Sequence, residues 1–115
     1  MLCKDERWGR CNIKSTSLLG NVLAMNNAKS FGCQEVVMHK DGFMTEAGAS
    51  NVFYFDSSGV VRTSSLSENI LPGITREILL KALKDGPYCV KEGSCAISDF
   101  NDSPCIWLTL SLIHI

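Results

Sequence analysis

Apolar residues recur at helical spacing in two segments of the chain, and each segment ends in a pattern that stops helices. The first runs from Ser17 to Gly32, where Gly32 stands at the position of a C-terminal cap. The second follows a proline-glycine turn and stops at Asp85-Gly86-Pro87. The two apolar faces are Leu18, Val22, Met25 and Ala28, and Ile74, Ile78, Leu79, Ala82 and Leu83. The pattern predicts two main helices, and we expect the first face to be ordinary core.

Runs rich in β-branched and aromatic residues fill the chain between and after these helices. The predicted strands span 34–39, 43–47, 51–55 and 60–63, with turns at Asp41-Gly42 and Ser57-Ser58-Gly59. Further strands are predicted over 88–96 and 105–109, with a short helix starting at 98–100. Residues 1–6 are polar without a period and predict no element. The sequence therefore predicts an α+β domain in which an antiparallel, barrel-like sheet packs with helices.

Size and charge restrict the class of protein. The 115 residues suffice for one domain, and the formal net charge is −1 with acids and bases interspersed. No apolar run approaches the length of a membrane span, about 18 residues or more. We therefore expect no nucleic-acid partner and no membrane association, and a small molecule or a protein as the ligand.

The six cysteines are irregularly spaced and include no C-x-x-C pair, and the start of the chain has no apolar leader. We expect reduced thiols in a cytoplasmic compartment, with a disulfide framework as the alternative. Because only His39 and His114 could supply imidazole, we expect no metal site.

Three candidate chemical groups follow one another along the chain. Lys14 lies in the run from Arg7 to Ser15, and a lysine with cationic neighbours is a candidate nucleophile toward a carbonyl. Glu46 follows, and Gly73-Ile74-Thr75 then opens a helix whose first N–H groups suit a phosphate. Each feature alone is more often structural. Pyridoxal phosphate, however, needs all three, because it has an aldehyde, a ring nitrogen and a phosphate.

The run Arg10-Cys11-Asn12-Ile13-Lys14-Ser15, followed by the segment from Leu18 to Ala24, resembles the fold-type IV pyridoxal-phosphate enzymes. It is most similar to their D-amino-acid (D-alanine) aminotransferase branch, which usually has Asp in place of Asn12 and Pro or another residue in place of Gly20. The resemblance covers roughly residues 6–109. It implies the larger, cofactor-binding domain of such an enzyme.

The resemblance also implies roles for individual residues. Lys14 would form the Schiff base with the cofactor and move the proton at the substrate's α-carbon. Glu46 would bond the pyridine nitrogen. Arg7 would pair with Glu46 and hold it ionised, and Glu35 would help to order this pair.

Further positions of the resemblance surround the rest of the cofactor. Leu71 would pack on the ring, while Gly73 and the backbone N–H groups of Ile74 and Thr75, with the Thr75 hydroxyl, would bind the phosphate. Ser50 and Asn51 would form a polar stretch beside the cofactor. Gly48 and Ala49 replace hydroxyl residues that the family often has there.

The parent activity implied is transamination between a D-amino acid and a 2-oxo acid by a cytoplasmic homodimer. We expect residues 1–109 to be part of the cofactor domain, without the family's N-terminal domain and inactive alone, and 110–115 to be a sequencing-adaptor scar. The alternatives are aminodeoxychorismate lyase or branched-chain aminotransferase of the same fold, or a non-catalytic domain that retains the fold.

Overall fold

The structure of this chain is a computed structural model that describes residues 1–7, 9–14 and 18–110. The expected scar, apart from Leu110, and the predicted helix start at Ser17 lie outside these residues. In chain order the elements are β1 (Leu2–Lys4), α1 (Leu19–Ser30), β2 (Val37–Lys40), β3 (Phe43–Ala47), β4 (Ser50–Phe55), β5 (Val61–Ser64), α2 (Ile74–Asp85), β6 (Val90–Gly93), α3 (Ile97–Asn101) and β7 (Ile106–Leu110).

The described strands form two open sheets, with strand orders β1-β2-β3 and β6-β5-β4-β7. The predicted hairpins β2–β3 and β4–β5 are present, and the α+β class is confirmed. The single antiparallel, barrel-like sheet is not confirmed, because no sheet closes and the pairs β1–β2 and β5–β6 are parallel. Strand β4 pairs with β5 on one edge and β7 on the other, so β3 has no free edge of β4 to join.

Strand β1 was not predicted and corrects our interpretation of residues 1–6. Leu2 lies opposite Val37 in the parallel pair with β2, and the amino group of Met1 donates to the Glu35 carbonyl at 3.0 Å. A strand of three residues is too short to show an alternating pattern. Its partner on β2 is more than thirty positions away, and local sequence does not report such a contact.

Helix α1 buries fewer residues than the apolar face predicted from its sequence. Ala28 is fully buried against Val36 and Met38, and Ala24 and Met25 pack at the margin of this cluster. The predicted core residues Leu18 and Val22 are instead about half exposed, at 47% and 50%. The small sheet covers only one side of the helix, so half of the apolar stripe stays about half exposed.

Helix α2 begins and ends where predicted, but a different face packs against the larger sheet. Leu79, Leu80 and Leu83 contact the cluster of Phe53 and Val61. Ile74, Ile78 and Ala82 are exposed, which corrects their placement in the stripe. The described part of the chain contains no helix that is both long and apolar enough to cross a membrane.

Candidate active site

Arg7 and Glu46 form a buried ion pair beside the small sheet. Glu46 lies on β3, and Arg7 lies in the loop that follows β1. Their side chains are only 3% and 8% exposed. The Asp5 carboxylate binds the other edge of the guanidinium and accepts hydrogen bonds from Nε at 2.9 Å and from Nη2 at 2.7 Å. One guanidinium thus joins two buried carboxylates.

Asn51 and Leu71 complete the surroundings of Glu46. The Leu71 N–H donates to Glu46 Oε2 at 3.1 Å, and Asn51 Nδ2 donates to the Leu71 carbonyl at 2.9 Å. Asn51 Nδ2 also lies 3.3 Å from Glu46 Oε2. The start of β4 and the segment before α2 are therefore both tied to this carboxylate, and the structure brings Arg7, Glu46, Asn51 and Leu71 into one network.

The loop that carries Lys14 is anchored beside the same network. The Cys11 N–H donates to the Glu68 carbonyl at 2.7 Å, and Arg7 Nη2 donates to the Asn69 carbonyl at 2.6 Å. Lys14 follows Cys11 by three residues, and its side chain is exposed. The structure thus lays the lysine loop along the segment that leads to Leu71.

Burial and ion pairing act in opposite directions on the two carboxylates. Burial raises the pKa of Glu46 above its ordinary value, and Arg7 opposes this only in part. Burial also disfavours the charged form of Asp5, but its hydrogen bonds from Arg7 and Thr45 lower the pKa of Asp5 overall. The expectation that Arg7 simply holds Glu46 ionised is therefore incomplete, because desolvation of Glu46 is the larger influence.

The start of α2 offers unpaired backbone donors. Gly73 is buried at the N-cap position, and no side chain caps the helix. The ladder begins with Glu77 N–H donating to the Gly73 carbonyl at 3.1 Å, so the N–H groups of Ile74 and Thr75 have no acceptor within the helix. Ile74 is 45% exposed and Thr75 is half-buried. This end of α2 can bind an anion.

Glu35 orders the turn after Glu46 and has no hydrogen bond to the Arg7–Glu46 pair itself. Its Oε1 accepts from the N–H groups of Val36 at 2.8 Å and Gly48 at 3.2 Å. The Gly48 carbonyl accepts from Asn21 Nδ2 of α1 at 2.8 Å. A Cβ at Gly48 would lie 3.0 Å from Glu35 Oε1, so glycine permits this close approach.

Three buried polar atoms near the start of β4 have no hydrogen-bond partner among the residues that the structure describes: Ser50 Oγ, Asn51 Oδ1 and Thr109 Oγ1. Asn51 and Thr109 lie opposite each other in the β4–β7 pair, so their side chains share one face of the sheet. Buried polar groups are normally hydrogen-bonded. Unpaired atoms beside Glu46, together with the uncapped start of α2, fit a ligand that carries both polar ring atoms and a phosphate.

Sequence reasoning missed Asp5, Thr45 and Arg76. The hydroxyl of Thr45 donates to Asp5 Oδ2 at 2.8 Å, and an acid two residues before Arg7 was the available signal. Arg76 is buried in α2 and donates to the Ser64 carbonyl at 2.9 Å and to Glu92 at 2.7 Å. It lines a cleft of about 520 Å³ that runs from Pro72 and Gly73 along α2 to Asp85.

A sequence profile, sequence relatives and solved structures all point to the same protein family. The sequence profile described as Amino-transferase class IV matches residues 2–115. The D-alanine aminotransferase of Listeria monocytogenes is 36% identical over 112 residues, which are 97% of this chain and 38% of that protein. The chain thus spans well under half the length of this relative.

Solved structures agree with the profile. An aminotransferase from Brucella abortus, bound to the co-factor PLP, superposes with a TM-score of 0.73 at 30% identity, covering 78% of this chain and 32% of that one. A Legionella pneumophila protein assigned as a 4-amino-4-deoxychorismate lyase superposes with a TM-score of 0.84 at 25% identity, covering 95% and 41%. With the profile match over nearly all of its length, the chain belongs to the class IV aminotransferase family.

Proposed function

We propose that this chain forms the cofactor-binding part of a pyridoxal-phosphate-dependent transaminase that interconverts a D-amino acid and a 2-oxo acid. The observation that carries the proposal is the Glu46 network, in which a buried carboxylate is held by Arg7, Asn51 and Leu71 beside unpaired polar atoms. The similarity to D-alanine aminotransferases supports the substrate class.

Different residues of the chain would bind the phosphate, the ring face and the ring nitrogen of the cofactor. The first N–H groups of α2 and the Thr75 hydroxyl would bind the phosphate, since they are donors at the positive end of a helix. The Leu71 side chain would cover the ring, because its backbone is fixed to Glu46 and Asn51. Glu46 would accept a hydrogen bond from the protonated ring nitrogen, which its raised pKa favours.

Lys14 would provide the reactive amine. When bound, pyridoxal phosphate supplies an aldehyde that condenses with amines and a ring that accepts electrons from the α-carbon. Lys14 Nζ would hold the cofactor's aldehyde carbon between turnovers and would move the proton at the substrate's α-carbon during them. Anchoring of the loop through Cys11 and Glu68 limits where Lys14 can reach.

The test is to add pyridoxal phosphate to the chain, reduce with borohydride, and locate the attached pyridoxyl group by peptide mass mapping. We expect the label on Lys14 in the wild-type chain and its loss in Lys14→Ala. Lys40→Ala is the matched control, because Lys40 lies beside the same network, 3.3 Å from Asn69 Oδ1, and should leave the labelling unchanged. A label that persists in Lys14→Ala would contradict the assignment.

The substrate class needs a separate measurement. Because the chain alone is expected to be inactive, this measurement uses the full-length protein: addition of D-alanine should convert the cofactor's absorption to that of its amine form, whereas L-alanine should not. The similarity to the Legionella protein favours one alternative, elimination from an aminodeoxychorismate-type substrate. Release of pyruvate from that substrate, without amino transfer to a 2-oxo acid, would select the lyase instead.

A further inference from the structure

With both acids ionised, the buried cluster around Arg7 carries one more negative charge than positive. Asp5 and Glu46 both contact the one guanidinium, and Asp5, Arg7 and Glu46 are 5%, 9% and 6% exposed. An uncompensated buried charge is costly, so such a cluster favours a further cation or a proton. Asn51 and Leu71, which also reach Glu46, are neutral donors and leave this charge in place.

Asp5 determines how Arg7 is presented. It accepts from Nε, from Nη2 and from the Arg7 backbone N–H, the last at 3.0 Å. Two parallel bonds to a planar guanidinium fix its orientation. Thr45, on the same strand as Glu46, donates its one hydroxyl proton to Asp5 Oδ2, the nearer acceptor, and its oxygen also lies 3.1 Å from the Met38 carbonyl oxygen. This bond fixes the Asp5 carboxylate in turn.

We propose that Asp5 is a positioning residue: its two parallel bonds hold Arg7 against Glu46 and share the guanidinium charge between the two carboxylates. Glu46 then remains a good partner for a cationic ring nitrogen. This last consequence rests on the proposed function, whereas the coupling between Asp5 and Glu46 does not.

Cys11 and Lys40 are further ionisable groups near the cluster. Cys11 lies in the loop after Arg7, and burial raises the pKa of its thiol, so it adds no charge near neutral pH. Lys40 of β2 bonds to Asn69, whose carbonyl also accepts from Arg7, and is half-buried. Neither group directly replaces Asp5 at the guanidinium, where the two parallel bonds are made.

The first test is a titration of the cofactor-free chain by NMR of the side-chain carboxyl carbons. In the wild-type chain, Glu46 should take up its proton at a higher pH than Asp5. In Asp5→Asn, the pKa of Glu46 should fall, since Arg7 then acts on Glu46 alone. Asp5→Glu keeps a carboxylate at this position, so the pKa of Glu46 should stay close to its wild-type value.

The matched control is Asp56→Asn, which removes the acid from the remote Asp56–Arg62 pair and should leave the pKa of Glu46 unchanged. If Asp5→Asn does not fold, the wild-type chain alone still tests the proposal, because Glu46 should become protonated at a higher pH than Asp5. Reversed order, or an unchanged Glu46 titration in a folded Asp5→Asn chain, would overturn the proposal and leave Asp5 a purely structural anchor.

The second test follows the ring nitrogen of isotope-labelled pyridoxal phosphate by NMR. In Asp5→Asn the nitrogen should lose its proton at a lower pH than in the wild-type chain. A wild-type chain that does not bind the cofactor would contradict the proposed function, while the first titration would still decide the role of Asp5. A bound cofactor whose nitrogen titrates identically in both chains would overturn the inference alone.

Discussion

Arg7 and Glu46 are separated by 39 positions in sequence, and the structure joins their side chains in a buried ion pair. The loop after β1 supplies one partner and the interior of β3 the other, so the contact requires the parallel β1–β2 pair and the β2–β3 hairpin together. The site therefore depends on the small sheet being assembled.

Replacing Arg7 by methionine should strongly destabilise the chain. Asp5 and Glu46 would both remain buried without their cation, and breaking a buried pair in this way costs about 3–5 kcal/mol. The free energy of unfolding in urea measures this. Arg62→Met is the control: its pair with Asp56 is more accessible, the Arg62 side chain being 29% exposed, and we expect a cost of at most about 1 kcal/mol. Equal costs for the two variants would contradict the central role of the Arg7 pair.

Gly20→Ala should disturb the Arg7 loop although alanine favours helices. A Cβ at Gly20 would lie 3.0 Å from Arg7 Cα and 3.1 Å from Arg7 Cγ, and backbone cannot move aside cheaply. We expect a net loss of about 1–3 kcal/mol of stability. The exposed position Asn26 in the same helix is the control, since Asn26→Ala should gain about 0.5 kcal/mol. If both variants were stabilised, the close contact between α1 and Arg7 would be wrong.

The pH dependence of stability should change in opposite directions in Glu46→Gln and Asp56→Asn. Burial raises the pKa of folded Glu46, so the wild-type advantage over Glu46→Gln should grow as pH falls, being complete below the unfolded pKa and lost as pH rises through the folded one. Hydrogen bonds from Arg62 and Val60 lower the pKa of Asp56, so the advantage over Asp56→Asn should be lost as pH falls through its folded pKa. Urea unfolding at pH values from about 3 to 7 measures both trends. If the wild-type advantage over both variants changed with pH in the same direction, the two acids would not have pKa values shifted in opposite directions.

If the proposed function holds, Thr75→Val should weaken the binding of pyridoxal phosphate about tenfold, because it would remove one hydroxyl donor to a charged phosphate. Binding of pyridoxal, which lacks the phosphate, should be unaffected, and Thr75→Ser should retain most of the affinity. Fluorescence titration of the chain with each compound provides the measurement. If Thr75→Val weakened both compounds equally, the effect would lie in the fold of α2 and not in a phosphate contact.

Local features of the fold were predictable from the sequence because their causes are local. The Asp41-Gly42 turn fixes the β2–β3 hairpin: Asp41 has φ 54° and Gly42 has φ 85°, a left-handed conformation that this pair tolerates. The Pro72-Gly73 turn likewise placed the start of α2 correctly. The order of Lys14, Glu46 and Thr75 was also visible, since it requires only the one-dimensional chain.

Non-local features were missed or misjudged. Strand β1 exists through a parallel pairing with β2, and the chain changes sheet at Gly48-Ala49 because both edges of β4 are occupied. The stripe of α1 predicted a wide buried face, but periodicity shows only which residues share a side of a helix. How much of that side is covered depends on the partner, and here the small sheet covers Ala28 and its neighbours alone.

By itself, the sequence determined the types of most elements, the order of the candidate site residues and the resemblance that the family match confirms. The tertiary structure alone decided that Asp5 and Glu46 share one guanidinium, and that Asn51 and Leu71 close around the same carboxylate. The physical reason is that turns and helices follow from neighbouring residues. The charge state of a buried acid, by contrast, depends on desolvation and on partners that only folding brings within hydrogen-bonding distance.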